Sequence, residues 1–210
     1  WLQHSRLREL EKDGAALPLW NEALRDDFAT ETQLYVEAMA FEEDASVAEF
    51  FTSNTSFVNA RLRSLYGLDE SGDNENFERV ELPADERAGL LTQGSFLALH
   101  AYPDYGSPIH RGAFVVEHIL CDHLPPPDPS VLDGVDLPTP AEDSTVREQL
   151  DELTGGGACN SCHGRINPVG FAFERYDGLG SYRERDEFDH VVDDSGRLVG
   201  FEEDILTGDF

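Results

Sequence analysis

Five consecutive residues, Cys159-Asn160-Ser161-Cys162-His163, carry the most specific chemistry in this chain. Two cysteines three positions apart share one face of a helical turn, so their sulfurs point to neighbouring places. A Cys-x-x-Cys-His run with that spacing is the attachment pattern of a c-type haem. Each thiol bonds one vinyl group of the porphyrin, and the histidine that follows turns its imidazole to the iron. Cys159 and Cys162 are therefore the expected thioether residues and His163 the proximal ligand of one covalent haem. The third cysteine, Cys121, is left over, so the cysteines give no disulfide framework.

The other axial position is less constrained. The motif begins at residue 159 of 210 and the sole methionine, Met39, lies far upstream, so no downstream methionine can fill it. The choices are a histidine, Met39 folding back, a ligand from another chain, or water or substrate. A six-coordinate iron favours electron transfer, whereas an open position favours binding or activating a small molecule. His110 and His190 rank first as distal candidates, ahead of His4, His100, His118 and His123; the competing role for each is an exposed or hydrogen-bonded imidazole. Met39 falls in the apolar spacing of its helix, and core packing is the better account of it.

Around the motif, Pro168 is expected to fix the backbone so that a nearby carbonyl holds the imidazole N–H, which makes the ligand more basic. Phe171, Phe173 and Tyr176 are candidates to wall a porphyrin, a role that merges with ordinary core packing. Arg165, Arg175 and Arg183 are cations close enough in sequence to pair with propionates. Arg183 is the first choice, set against an ordinary surface ion pair.

A different chemistry uses the same residues: Cys121, Cys159, Cys162 and His163 have the inventory of a structural zinc site. Adjacent Cys162 and His163 project in different directions on a turn, which suits thioether plus axial ligation better than two bonds to one tetrahedral ion. A redox-active dithiol lacks the preceding βαβ pattern. Glu117, His118, Cys121, Asp122 and His123 read as a polar helix end before a second metal site. Runs such as Glu42-Glu43-Asp44 and Glu202-Glu203-Asp204 read as solvated faces, and the usual hydrolase and phosphate-binding motifs are missing.

The elements that must position the motif are mostly helical. From Trp1 to Leu68 apolar residues recur at helical spacing, in Leu34, Ala38 and Met39 and in Val58, Leu62, Leu65 and Tyr66, so this half is expected to be all-α. Thr30 with Gln33 and Ser46 with Glu49 read as capping boxes, and Gly67 as a stop. An acidic tract over 69–76 reads as a surface loop. A short strand is expected over Arg79 to Leu82, while the Leu90 to Leu99 stretch is ambiguous between helix and strand. Ser107-Pro108 starts a helix with Ile109, Ala113, Val116 and Leu120 on its buried face. Pro125 to Pro129 forms a stiff connector. Thr145 with Glu148 caps a helix bearing Val146, Leu150 and Leu153, which Gly155-Gly156-Gly157 ends, delivering the chain into the motif. Val191-Val192, a turn at Asp193 to Gly196, and Arg197 to Val199 read as a hairpin.

Composition sets the outer bounds. The chain has 210 residues, 40% hydrophobic, enough for a sizeable core. Forty-three acidic against 15 basic residues give a formal charge of −28, which argues against nucleic acid or an anionic membrane as partner; steering of a basic partner is one reading of the acidic shell, and a generally acidic proteome or a salty habitat is the other. The longest charge-free stretch, Ala88 to Pro103, falls short of a membrane span. The first residue is Trp, with no targeting segment ahead of it, so the chain is expected to be processed or part of something longer.

Taken in order, Ser107-Pro108-Ile109-His110-Arg111-Gly112, the Pro125 to Pro127 run, the Cys-x-x-Cys-His motif, and Ile166-Asn167-Pro168-Val169-Gly170-Phe171-Ala172-Phe173-Glu174 with Tyr176-Asp177 form a series. It resembles the planctomycete-type cytochrome c family, large extracytoplasmic proteins built from several domains of unknown function. The resemblance implies haem c at the motif and redox chemistry, with no established substrate. The expectation is a mainly α chain: a helical domain over 1–76, a mixed segment with a buried helix and Pro-rich connector over 77–130, and a c-type haem segment with a small β-hairpin over 131–210. Its function is expected to be electron transfer by one covalent haem, with a redox partner protein and other subunits or domains of a larger extracytoplasmic assembly. A peroxidase- or oxygenase-like haem enzyme and a zinc-stapled interaction module are the alternatives.

Overall fold

In the computed structural model, which describes residues 3–69, 71–126, 134–200 and 205–206, the first long helix starts where the Asn21 side chain accepts from the Leu24 amide. This helix, α1 (Glu22–Glu37), runs straight through Thr30, whose hydroxyl donates to the Asp26 carbonyl. The Thr30–Gln33 pair expected to begin a helix thus lies inside one. A mid-helix threonine satisfies itself on the carbonyl four residues back, and Asn21 is the stronger cap. Ser46 and Glu49 do exchange their reciprocal bonds, just ahead of α2 (Glu49–Thr52).

The first half is mainly helical but not all-α. Thr55–Val58 is strand β1, antiparallel to β2 (Glu78–Glu81), with Thr55 opposite Glu81 and Val58 opposite Glu78. Alternation turns Ser56 and Val58 inward, a period-2 signal too short to outweigh the helical spacing of the residues after it. Asn59 then caps α3 (Ala60–Leu65), and Gly67, at φ 66, ends it as expected. The ambiguous apolar stretch is helical: a 3₁₀ turn over Leu90–Thr92 and then α4 (Gly94–Leu99).

The chain forms two compact units. The first takes the residues up to Gly106 together with Tyr176–Tyr182. Its core gathers Leu24 and Phe28 of α1, Val58, Leu62 and Leu65, with Leu179 from the later segment. Met39 is buried with Tyr35 and Leu90, the core role its spacing indicated. Inside this unit Glu31 accepts hydrogen bonds from Ser56 Oγ at 2.5 Å and Tyr66 Oη at 2.7 Å. The Arg87 guanidinium lies 4.1 Å over the Tyr66 ring. Burial pushes the Glu31 carboxyl up to about 7, against the pull of the Ser56 and Tyr66 hydroxyls and Arg87.

The second unit takes Ser107–Arg175 and the described residues from Arg183 on. Ser107 caps α5 (Pro108–Phe114), accepting from the His110 amide, and a π-helical turn over Val115–Ile119 continues it. The buried residues are Pro108, Arg111, Gly112, Phe114, Val115 and Val116, so of the expected face Val116 is buried, while Ile109, Ala113 and Leu120 are half-buried and the inward face is rotated away from them. Gly112 explains the rotation. Its bare Cα sits against the Ile166 carbonyl of α7 (Asn160–Gly170), and Gly170 in turn sits against the Pro108 carbonyl. Two glycines let the helices meet backbone to backbone, an approach any side chain would block.

Between them, α6 (Val146–Thr154) carries the expected Thr145–Glu148 capping box. Leu150 and Thr154 face inward, while Leu153 is 37% exposed. The small antiparallel pairing near the C-terminus is present, with different partners from those expected: β3 (Gly196–Arg197) pairs with β4 (Ile205–Leu206), and Val191 bridges to Arg185. Arg147 helps to explain this, because it binds the Asp193 and Ser195 carbonyls and holds the expected turn open as a loop. Pro127 to Pro129 of the connector and Glu202 to Asp204 lie outside the described residues. Among the described residues, no helix is long and apolar enough to cross a membrane.

Candidate functional site

The second unit delivers the Cys-x-x-Cys-His run to the start of a helix. Helix α6 stops at Thr154, and Gly157, at φ 61, turns the chain into Cys159, the residue immediately before α7. Space beside Gly156 and Gly157 is open. Cys159 and Cys162 are both free thiols and half-buried, one helical turn apart. The first residue after them, His163, is also half-buried.

The imidazole is held at Nδ1. Its Nδ1 lies 2.9 Å from the Asn167 Oδ1, one turn further along α7. An amide oxygen only accepts, so Nδ1 carries the hydrogen and Nε2 is left with its lone pair. Asn167 is 5% exposed, and its amide donates to Thr154 Oγ1 at 2.8 Å. The Thr154 hydroxyl donates to the Leu150 carbonyl at 2.6 Å. A metal-accepting nitrogen beside two half-buried thiols is the donor set that a covalently attached haem requires.

Pro168 follows Asn167 inside α7, where it removes the amide that would have bonded the Gly164 carbonyl. The acceptor of the imidazole hydrogen is the Asn167 side chain rather than the backbone carbonyl expected near the proline. The i, i+4 spacing of His163 and Asn167 was the available signal. Thr154 had no such signal, because its partner comes from another helix.

The three arginines considered for propionates each meet a carboxylate: Arg165 pairs with Asp122, Arg175 with Asp194 at 2.7 Å, and Arg183 with Glu187 at 2.9 Å. Arg183 also helps, with Arg111 and Arg147, to hold down the Glu174 carboxyl that burial raises. Phe171 and Phe173 are buried in the second unit, with the Arg147 guanidinium 4.3 Å over the Phe171 ring. Tyr176 is buried in the first, its hydroxyl donating to the Glu86 carbonyl.

Of the distal candidates, His110 is exposed on α5. His190 has both ring nitrogens engaged, Nδ1 with Asp186 at 2.9 Å and Nε2 with the Glu142 carbonyl at 3.1 Å. The Asp186 carboxylate raises the pKa of this imidazole. Cys121 is exposed, in a left-handed conformation at φ 54. Among the described residues no three His, Cys, Asp or Glu side chains are grouped to share a metal ion, so Cys121, Cys159, Cys162 and His163 are not gathered as a zinc site.

Residues 87–186 match the family model PSCyt3, protein of unknown function (DUF1588), and residues 1–68 match PSD4, protein of unknown function (DUF1592). No curated protein and no solved structure matches the chain.

Proposed function

We propose that this chain, which belongs to the planctomycete cytochrome c-type families, holds one haem c on Cys159 and Cys162 with His163 as iron ligand, and passes single electrons. The observation that carries the reading is the pair of free thiols one turn apart beside an imidazole whose Nδ1 hydrogen is taken by Asn167. When bound, the haem supplies a one-electron couple. The chain's part is to anchor the group twice, to aim Nε2 at the metal, and to bury one side of the site with the α5–α7 packing. For the opposite axial position His110 and His190 stay the candidates, and His190 would have to give up a hydrogen bond at one ring nitrogen to serve.

The setting is extracytoplasmic, where haem is attached to such motifs. The acidic surface, with its formal charge of −28, favours encounter with a basic redox partner at low salt. Other subunits or domains of a larger assembly are the natural donors and acceptors.

An alkaline-pyridine spectrum of denatured protein from a haem-attaching host, before and after reduction and after solvent extraction, tests the reading. A c-type spectrum that stays with the polypeptide is the expected result. Colourless protein from that host overturns it. Carbon monoxide added to the reduced protein separates carrier from enzyme, because ready binding marks an open or labile sixth position.

A further inference from the structure

We infer that Asn167, oriented by Thr154, is a positioning residue that fixes the proton of His163 on Nδ1 and thereby lowers the reduction potential of the iron; this rests on the haem reading above. A free imidazole exchanges its hydrogen between two nitrogens, and only the form with a bare Nε2 can bind iron through it. Asn167 selects that form only while its oxygen faces the ring. Turned over, the amide would offer N–H to Nδ1 and drive the hydrogen to Nε2.

What sets the orientation is the direction of the chain of bonds. The Thr154 hydroxyl donates to the Leu150 carbonyl at 2.6 Å, so its oxygen presents lone pairs to Asn167 and receives the amide N–H at 2.8 Å. Asn167 is left with its oxygen toward His163, at 2.9 Å. Reversing the amide would require the threonine to give up the Leu150 carbonyl. Both Asn167 and Thr154 are nearly excluded from water, so no solvent molecule replaces a lost partner cheaply. The relay spans α6 and α7, the two helices flanking the glycine turn and Cys159, so it also fixes the height of the motif against α6.

The electronic consequence has a definite sign. An acceptor on Nδ1–H makes the imidazole a stronger donor, which favours ferric iron and lowers the potential. Asn167→Asp, with a charged acceptor, should lower the potential further; Asn167→Leu should raise it. Thr154→Val should raise it by less, and Thr154→Ser, which keeps the hydroxyl, should leave it near wild type. A merely structural role predicts no such ordering.

The test has two arms on the full chain. In haem-free protein, nitrogen-15 NMR of the imidazole reports which nitrogen of His163 bears hydrogen: Nδ1 is expected in wild type, with loss of the preference in Asn167→Leu. In haem-loaded protein, potentiometry followed by absorption reads the order Asp below wild type below Leu. Hydrogen on Nε2 in wild type overturns the inference, and so do potentials that move the same way for Asp and Leu. Wild type that takes up no haem defeats the proposed function and with it the effect on potential, while the NMR arm still decides the tautomer.

Discussion

Gly112 and Gly170 face each other where α5 crosses α7, and a Cβ on Gly112 would meet the Ile166 carbonyl and stand 2.9 Å from the Gly170 nitrogen. This contact seats α7, the helix of the Cys-x-x-Cys-His run, on its neighbour. Gly112→Ala should therefore destabilise the second unit by roughly 1–3 kcal/mol, since rigid backbone has to move apart. Gly156→Ala meets nothing within 4 Å and should be nearly neutral. Thermal melts of the two variants decide it, and equal losses would show that the crossing tolerates a side chain.

Cys121 stands apart from the motif chemistry. On the haem reading, its exposure and the lack, among the described residues, of a three-donor group around it predict that Cys121→Ser retains full covalent haem and wild-type stability. Cys159→Ser and Cys162→Ser should each remove one thioether, and His163→Ala should change the visible spectrum even where attachment survives. Intact-mass measurement with absorption spectra reads all four variants. Loss of pigment in Cys121→Ser would mean that the third thiol belongs to the site.

Buried Glu31 gives the first unit a pH dependence whose sign follows from its raised pKa. Burial lifts the carboxyl from 4.5 to about 7. Its contribution to stability is then full below pH 4.5 and is lost as pH rises through 7, because the unfolded chain ionises the group more readily. The full span is on the order of 3 kcal/mol. Glu31→Gln should flatten the fall between pH 5 and 8.5, leaving the variant relatively more stable at the alkaline end. Denaturation followed by tryptophan fluorescence, which samples Trp20 on the same core, measures it. Parallel curves for variant and wild type would show that Glu31 is already ionised, its charge balanced by Arg87.

What could be read in advance divides along physical lines. Caps and stops acting over four residues, such as Ser107, Thr145 with Glu148 and Gly67, were legible because their chemistry is local. So was the core role of Met39. The inward face of α5 was not, because apolar spacing ranks Ile109 above Gly112, whereas the decisive interaction is a missing side chain that admits another helix. Thr154 was hidden for a similar reason: its hydroxyl has meaning only once α6 lies beside α7. The open loop at Asp193 to Ser195, expected as a turn, is held by Arg147 from 46 and 48 positions away.

His190 closes the segment around Asp186 by donating from both ring nitrogens when charged, to the Asp186 carboxylate and the Glu142 carbonyl. Neutral imidazole has one hydrogen and must release one of the two acceptors. The Asp186 bond raises the His190 pKa, with the Glu142 carbonyl and the Glu148 charge acting the same way. The clasp is therefore complete below pH 6.5 and weakens as pH rises through the raised value. An NMR titration should place the His190 midpoint above that of an ordinary histidine, and Asp186→Asn should bring it down. Amide exchange over residues 185–191 should quicken over the same interval in wild type and be fast throughout in His190→Ala. If His190 serves only as this clasp, His190→Ala leaves the haem spectrum and carbon monoxide binding unchanged. A new high-spin spectrum in that variant would instead make His190 the distal ligand, with the Glu142 bond exchanged for iron.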